Sequence, residues 1–471
     1  MAVRRPTAQA PAIGGGGGGP SRRSTSRGTS TPFVEAMQAA FRIPELRKRL
    51  LFVFAMFGVY CIGLQIPIPG VNEEALKALF TRGGGGGILN LVDVFSGGAL
   101  KTYTVFAMGI IPYINASIIM QLLTFAIPTW QEMAREGESG RKQIARFTRR
   151  LTFALALLQG AGTTYYLHSQ GIIATNGMSG PLAFLFLAQI VVTLAAGTAF
   201  LMWIGEQITE HGIGNGVSLI IFCGIMVRLP LQIGGVVQQV SVGAVKPWQV
   251  FVLIVAFFAT VIGVVFVTLG QRKIPIQHVR KIVGNRMSQG GTSYLPFRVA
   301  SAGVIPIIFA LSIQLLPLTF LQFVPPHSPM AGFAHWWQNV AQPGKSPWTG
   351  LVYALIIVFF TYFYTAVTMN IEQITDDLKK YGSYIPGIRP GKPTMEYLDK
   401  VMTRITLAGA LFLALIALLQ YWVPALTGTG GANGFTLVGG TSLLIVVGVA
   451  LDTMQAIEAQ LLMRNYEGFI K

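Results

Sequence analysis

Long apolar stretches separated by short charged clusters dominate the chain from residue 50 onward. Ten of them approach or exceed the length a bilayer requires: 50–66, 103–127, 151–167, 181–204, 215–236, 249–269, 299–324, 350–370, 403–424 and 436–456. A hydrocarbon core of roughly 30 Å is crossed by about 20 apolar residues in helical form. Each stretch therefore predicts one membrane-spanning helix, with 50–66 and 151–167 the shortest. The predicted fold class is an all-α integral membrane protein with about ten transmembrane helices. Composition agrees, with 52% hydrophobic and 11% charged residues and a mean hydropathy of +0.57, where soluble domains carry about 25% charged residues.

The pattern differs ahead of the first stretch. Residues 1–34 hold no acid, a glycine run at 14–19 and repeated Arg, Ser, Thr and Pro, a composition that predicts a disordered tail. No apolar core follows its basic residues, which argues against a secretory signal. A plastid transit peptide, similarly rich in Arg and Ser, stands as a minor alternative to a bacterial extension. Phe33, Met37, Ala40 and Phe41 then recur at helical spacing before Arg42, Arg47, Lys48 and Arg49, as in an amphipathic helix on a membrane surface. Pro44 is expected to turn that helix into the bilayer.

The loop 67–100 holds a segment that fits neither class. After a second glycine run at 83–87, residues 88–100 keep an apolar face of Ile88, Leu91, Val92, Phe95 and Leu100. The segment is too short to span and too apolar for a solvated loop. It admits three readings: a buried cap, a re-entrant half-helix, or a movable stopper, since irregular backbone at membrane depth is tolerated inside protein or along a water-filled cavity. Gly97-Gly98 supplies a hinge at low steric cost.

The net charge of +17 raises the possibility of a nucleic-acid binder, and its distribution answers it. With ten spans and the amino terminus inside, Lys77, Arg82, Lys101, Arg228, Lys246 and Lys345 lie outside, and the rest of the 35 Lys and Arg lie inside. That bias is the positive-inside rule, and it places both termini in the cytoplasm.

Catalytic chemistry is scarce. Cys61 and Cys223 sit in apolar stretches and cannot form a Cys-based zinc site, so they are expected to pack as small hydrophobes. His168, His211, His278, His327 and His335 fall in loops or at span ends, and no HExxH occurs. The glycine-rich Gly212–Gly216 follows no strand, and Glu138–Lys142 lacks phosphate-loop spacing. Asp452 is the one carboxylate well inside a span. No metal, cofactor or enzymatic activity is expected. A coupled carrier would use interrupted helices and midplane charges. Pro112, Pro306 and Pro317 supply the interruptions but midplane charge is lacking, so on physical grounds alone a carrier for an apolar or zwitterionic solute stands beside a channel.

Several separated motifs narrow the choice. They are Phe95–Leu100 (FSGGAL), Phe106–Ile118 (FAMGIIPYINASI), Gly205–Ser218 (GEQITEHGIGNGVS), Ala302–Pro306 (AGVIP), Pro386–Gly391 (PGIRPG) and Gly440–Ile445 (GTSLLI). In content and order they resemble the signatures of the SecY family, and the resemblance runs from about residue 35 to Lys471. It implies two pseudo-symmetric halves around a central pore, 35–236 (spans 1–5) and 237–456 (spans 6–10). Residues 1–34 and 457–471 would be cytoplasmic tails, and 270–298 and 371–404 enlarged cytoplasmic loops. The implied function is a protein-conducting channel that moves unfolded preproteins across the plasma membrane and releases transmembrane segments sideways into lipid.

The resemblance also assigns residues. Asn90, Leu91, Val92, Asp93, Val94, Phe95, Ser96, Gly97 and Gly98 would form a plug closing the pore from outside. Ile110, Ile114, Val217, Ile221, Ile308 and Ile445 would form its constriction. The spacing agrees independently, because 110/114 and 217/221 are i, i+4 pairs on one helix face. β-Branched side chains are stiff at χ1, and an apolar constriction excludes ions by dewetting; Val217 departs from the family's isoleucine and would widen the ring slightly. Asn115, Ser117 and Gln121 would meet Ser312 and Gln314 across a lateral gate between the second and seventh spans, with ordinary helix–helix bonding the plainer reading. Arg272, Lys273, Arg280 and Lys281, on a hairpin-like finger, and Arg389, on a rigid proline-flanked turn, would contact an export motor of the SecA type and the ribosome, including its RNA. Small SecE-type and SecG-type membrane subunits, preprotein signal sequences and the lipid bilayer complete the expected partners, in a bacterial plasma membrane.

Overall fold

The computed structural model describes residues 43–81, 93, 96–173, 180–243, 245–278, 282–283, 286–287, 291–300, 303–321, 332–333, 336–337, 347–427 and 440–467. The predicted tail 1–34, plug residues Asn90, Leu91, Val92, Val94 and Phe95, and finger residues Arg280 and Lys281 lie outside them. In the first half the helices are α1 Pro44–Gly63, α2 Glu73–Thr81, α3 Ile111–Ala126, α4 Pro128–Arg135, α5 Glu138–Ser169, α6 Pro181–His211 and α7 Gly216–Ser241. In the second half they are α8 Pro247–Leu269, α9 Ile305–Leu321, α10 Pro347–Thr368, α11 Ile371–Lys380, α12 Lys392–Thr427 and α13 Gly440–Glu467. Every predicted apolar stretch overlaps one of them.

Among the described residues, 6 helices are long and apolar enough to cross a membrane by themselves, or 7 if α3 and α4, bent by 100° at Ile127, count as one span. The shortfall from ten has local causes. The first turns of α1 carry Arg47, Lys48 and Arg49, and α9 is only 17 residues long. Helix α5 turns Thr148, Thr152, Gln159 and Thr164 toward protein rather than lipid. There Thr148, Thr152 and Thr163 donate to the carbonyls of Ile144, Thr148 and Gln159, so the hydroxyls are satisfied within the helix. A span wrapped in protein needs less hydropathy than one facing lipid.

The predicted stretch 103–127 differs at its start. Residues 103–110 form tight turns and the helix begins at Ile111. Tyr103 takes φ 46° and is fully buried. Helices α1, α3 and α5–α7 pack on one another, as do α8–α10, α12 and α13. The two groups meet where α9 adjoins α3 and α5, and where α13 adjoins α7.

Between α8 and α9 the helical frame gains a small sheet. Strands β1 (Gln271–His278) and β4 (Thr292–Arg298) pair antiparallel, with Gln271 opposite Arg298 and Gln277 opposite Thr292. Two-residue strands β2 (Ile282–Val283) and β3 (Arg286–Met287) pair with each other. From the segment between α11 and α12, β5 (Ser383–Tyr384) joins the free edge of β1. Ile274 and Ile276 are both buried along β1, and Ile274 forms a satellite core with Phe297, Ile385 and Leu398. His278 ties the loops together, with Nδ1 2.7 Å from Ser383 Oγ and Nε2 2.8 Å from Ser293 Oγ.

The glycine-rich motif at 205–218 is a tight corner between α6 and α7. The Asn215 side chain accepts from the backbone N–H of Val217 and Ser218 at 3.0 and 3.3 Å, which caps α7. Thr209 Oγ1 accepts from Gly216 N and donates to the Gly205 carbonyl. A Cβ on Gly216 would collide with that same carbonyl oxygen. Gly216→Val is therefore expected to cost about 1–3 kcal/mol, as overpacking does, and to lower the detergent-solubilised Tm; an unchanged Tm would show that this corner tolerates separation.

Candidate pore and its closing segment

One stripe of α7 organises the site. Val217, Ile221, Gly224 and Arg228 follow one another at spacings of 4, 3 and 4 residues and so share a helix face. Ile221 is buried near the amino-terminal end of the helix. Arg228 lies about 10 Å further along the helix at 1.5 Å per residue.

The six residues expected at the constriction fall in a single apolar cluster. Ile110, Ile114, Ile221 and Ile445 are buried in it, and Val217 and Ile308 are half-buried against it. Ile110 precedes α3, yet its carbonyl accepts from Ile114 N at 3.1 Å, which keeps the pair one above the other. A cavity of about 180 Å³ adjoins this cluster, lined by Asn215, Ser218, Ile308, Tyr364, Ile445 and Asp452 among others.

The described part of the short segment is fastened against α7. Asp93 is completely buried, and its Oδ2 lies 2.9 Å from Arg228 Nη1 and 4.0 Å from Lys101 Nζ. Asp93 Oδ1 accepts from Lys101 N at 3.0 Å, while its carbonyl accepts from Gly98 N and Ser96 Oγ. Tyr60 OH donates to the Ser96 carbonyl at 3.3 Å. Gly97 and Gly98 take φ 71° and 91°, the left-handed region that glycine enters freely. An added Cβ on Gly97 would meet Tyr60 Oη and Gly224 Cα at 2.8 and 3.1 Å, so backbone touches backbone there. Burial pushes the Asp93 carboxyl above its ordinary value, against the opposing pull of Arg228 and then Lys101. Burial likewise lowers Lys101, against the pull of Asp93.

This ion pair was not foreseen. Arg228 counted as one more outside cation and Asp93 as one more plug residue. The signal was present, because an ionisable side chain inside an apolar stretch calls for a partner, and Asp93 is the only acid between Glu74 and Glu132.

At the seam between α3 and α9, Asn115, Ser312 and Gln314 are buried. No hydrogen bond crosses it among the expected gate residues. Gln121 Nε2 donates to Ser117 Oγ within α3 at 3.4 Å, and both amide atoms of Asn115 are without a partner. In this conformation the seam is held by apolar packing, so the expected cross-seam bonds are absent.

Arg272 and Lys273 are exposed on β1, and Arg389 is exposed beyond β5. Ile388 N donates to the Ile385 carbonyl at 3.1 Å across Pro386-Gly387, and Gly387 has φ 82°, as in a type II turn. The Arg389 carbonyl accepts from Thr394 Oγ1 at 2.8 Å, which fixes its backbone while the guanidinium stays free in solvent.

The SecY family model matches residues 104–454. The chain belongs to the SecY family. A SecY protein translocase subunit from Streptomyces galbus is 42% identical over 444 residues, covering 93% of this chain and 100% of its own length. That of Thermotoga maritima is 41% identical, covering 93% and 98%. A solved protein-conducting channel shares the fold with a TM-score of 0.59 at 18% identity, covering 90% of this chain and 96% of its own. A canine Sec61 from a ribosome–channel complex gives 0.57 at 17% identity, with the same coverage of each chain. The SecY match includes the constriction cluster, α7 and the seam.

Asn115 yields the prediction for this region. An unpaired buried amide costs about 1–3 kcal/mol, so Asn115→Leu should raise the Tm of the solubilised protein. A lowered Tm would show that the amide has a partner, such as an ordered water, that holds the seam.

Proposed function

We propose that this chain is the pore subunit of a protein translocase in a bacterial plasma membrane. It conducts unfolded preproteins outward and releases apolar segments sideways between α3 and α9. Support comes from the 42% identity to a SecY translocase subunit over 93% of the chain and from the constriction cluster itself. Its six side chains come from the turn at Ile110 and from α3, α7, α9 and α13, that is, from both helix groups. All are aliphatic, so they can seal against water and ions while bonding to nothing in a passing chain. The reading takes Asp93 and Ser96–Gly98 as part of the plug.

Energy would come from outside the chain, through an ATP-driven motor of the SecA type, a translating ribosome or the membrane potential. Arg272, Lys273 and Arg389, on the joined cytoplasmic loops, suit an anionic partner surface such as ribosomal RNA, whose binding would weaken steeply with salt. SecE-type and SecG-type subunits would brace the two halves, with both termini in the cytoplasm.

The deciding experiment places a photocrosslinker at Ile110 or Ile445, with Phe266, 78% exposed on α8, as the lipid-facing control. Vesicles would hold this chain, a SecE-type partner and SecA, with a preprotein arrested in transit. Crosslinks from Ile110 and Ile445 but not from Phe266, dependent on ATP and a signal sequence, are expected. Silence at all three positions, with transport of a small solute instead, would replace the channel by a carrier. In the same vesicles, replacing Ile110, Ile308 and Ile445 together with glycine should raise ion leak at least tenfold; unchanged leak would remove these residues from the constriction.

A further inference from the structure

We infer that His278 is a positioning residue whose imidazole pins β5 to the β1–β4 hairpin, so that Arg389 and the basic end of β1 meet a partner as one rigid surface. The inference rests on the channel reading above and concerns how the driving partner is engaged. Little backbone holds the two loops together. Strand β5 pairs with β1 only through Gln277↔Tyr384 and His278↔Ser383, and a pairing that short is marginal by itself. Side chains supply the rest, on both faces of the pair. Successive strand residues point to opposite faces, so Ile274, Ile276 and His278 share one face of β1 and Gln277 lies on the other. On the first face His278 Nδ1 is 2.7 Å from Ser383 Oγ on β5, and Nε2 is 2.8 Å from Ser293 Oγ on β4. One ring therefore bridges three strands. A neutral imidazole donates from one nitrogen and accepts at the other, and a hydroxyl can do either, so both contacts are satisfied in either tautomer. Ser383 is buried, so its hydroxyl needs a protein partner in place of water. On the opposite face Tyr384 OH donates to Gln277 Oε1 at 2.9 Å.

The pin reaches Arg389 through short, fixed steps. Ile385 follows β5 directly and is buried in the satellite core. Its carbonyl accepts from Ile388 N at 3.1 Å, and Thr394 Oγ1 then holds the Arg389 carbonyl at 2.8 Å. Because β5 is antiparallel to β1, the chain leaving Tyr384 heads back along β1, toward Lys273 and Arg272. At the base of the hairpin Val299 N donates to the Gly270 carbonyl at 2.9 Å, which fastens β4 to the end of α8. Arg389 is thus held relative to Arg272 and Lys273, although it comes from a different loop. With the pin removed Arg389 would stay exposed, but its distance from the β1 cations would vary. An anionic partner would then have to fix that distance on binding, which weakens affinity without touching any charge.

The test uses vesicles holding the complete complex with its small partner subunits, with preprotein transport measured against the concentration of a SecA-type motor. His278→Ala and Ser383→Ala should each raise the half-saturating motor concentration about fivefold, as loss of a hydrogen bond allows, and leave the maximum rate unchanged. Arg389→Ala should raise it as well, and adding His278→Ala to Arg389→Ala should change nothing further, because the pin acts through Arg389. As a second arm, a covalent pin replaces the imidazole. Residues directly opposite on antiparallel strands have Cα atoms about 4.5–5.5 Å apart, within reach of a disulfide. His278→Cys/Ser383→Cys in a Cys61→Ser/Cys223→Ser background should behave as His278→Ala when reduced and recover the original half-saturation when oxidised. A histidine that touched the motor itself would not be replaced by a disulfide, and a damaged fold would lower the maximum rate instead. Unchanged half-saturation in both alanine variants, or no recovery on oxidation, would overturn the pin while leaving the channel intact. Failure of the unaltered complex to move any preprotein would instead overturn the channel reading. Amide hydrogen exchange across 383–388 would then still decide the pin, faster in His278→Ala if it holds and unchanged if it does not.

Discussion

A bilayer core offers no water, so every backbone N–H and C=O at that depth must find a partner within the protein. That constraint makes nearly all the described chain between loops helical, and it also governs the exception. Residues 96–110 run through turns, yet Gly98, Thr104, Ala107 and Gly109 donate to the carbonyls of Asp93, Ala99, Thr104 and Phe106 at 2.8–3.0 Å. Ile68 and Val105 bond across to Tyr103 and Ile66. The segment can leave regular structure because it carries its own hydrogen bonds and leans on α1 and α7. The same rule disciplines side chains. Thr148, Thr152, Thr260, Thr361, Thr365 and Thr453 each donate to the carbonyl four residues back.

Two kinds of contact then divide the work of closure. The aliphatic cluster is non-directional: Ile110, Ile114, Ile221 and Ile445 gain by burial and by close packing, and any apolar or extended chain can take their place against one another. Such a seal yields to many sequences and discriminates weakly among them. The Asp93–Arg228 pair has the opposite character. It is one buried contact between two charges, and removing Asp93 leaves Arg228 without its carboxylate, a loss that typically costs about 3–5 kcal/mol. In the proposed channel, a closed state built from both would be permissive about what passes and definite about when it is shut.

Much of this architecture is legible in the sequence because hydrophobic length reports membrane depth directly. Stretches such as 181–204 and 249–269 locate α6 and α8 to within a few residues at most boundaries, although α6 continues to His211. The finger at 271–296 shows through its β-branched residues and paired charges, and emerges as β1 and β4. Hydropathy is weak where a span is sheltered by protein, as α5 is, and α9 is apolar but only 17 residues long. It is also silent on pairing. Nothing along the chain brings Arg228 to Asp93 or Ser383 to His278, since both contacts need the folded frame. The seam at Asn115 shows the reverse error: polar residues at matching depth on α3 and α9 suggest bonds that the packing does not make.

In the proposed channel, the unpaired amide at Asn115 and the singly paired Arg228 would serve one end. A membrane protein can discard a buried polar group at little cost to its fold, since an apolar residue of similar volume satisfies the same packing. Asn115 lies one residue from Ile114 in the seam, and Arg228 lies two helical turns beyond Ile221, so both polar groups flank the aliphatic cluster. Each is poorly or singly satisfied in the closed arrangement. A closed state stabilised as far as the side chains allow would pair Asn115 and surround Arg228 with several acceptors. Leaving one unpaired and the other held by a single carboxylate narrows the gap between closed and open. In the proposed channel the cluster would supply the seal, and these two positions would keep that seal breakable.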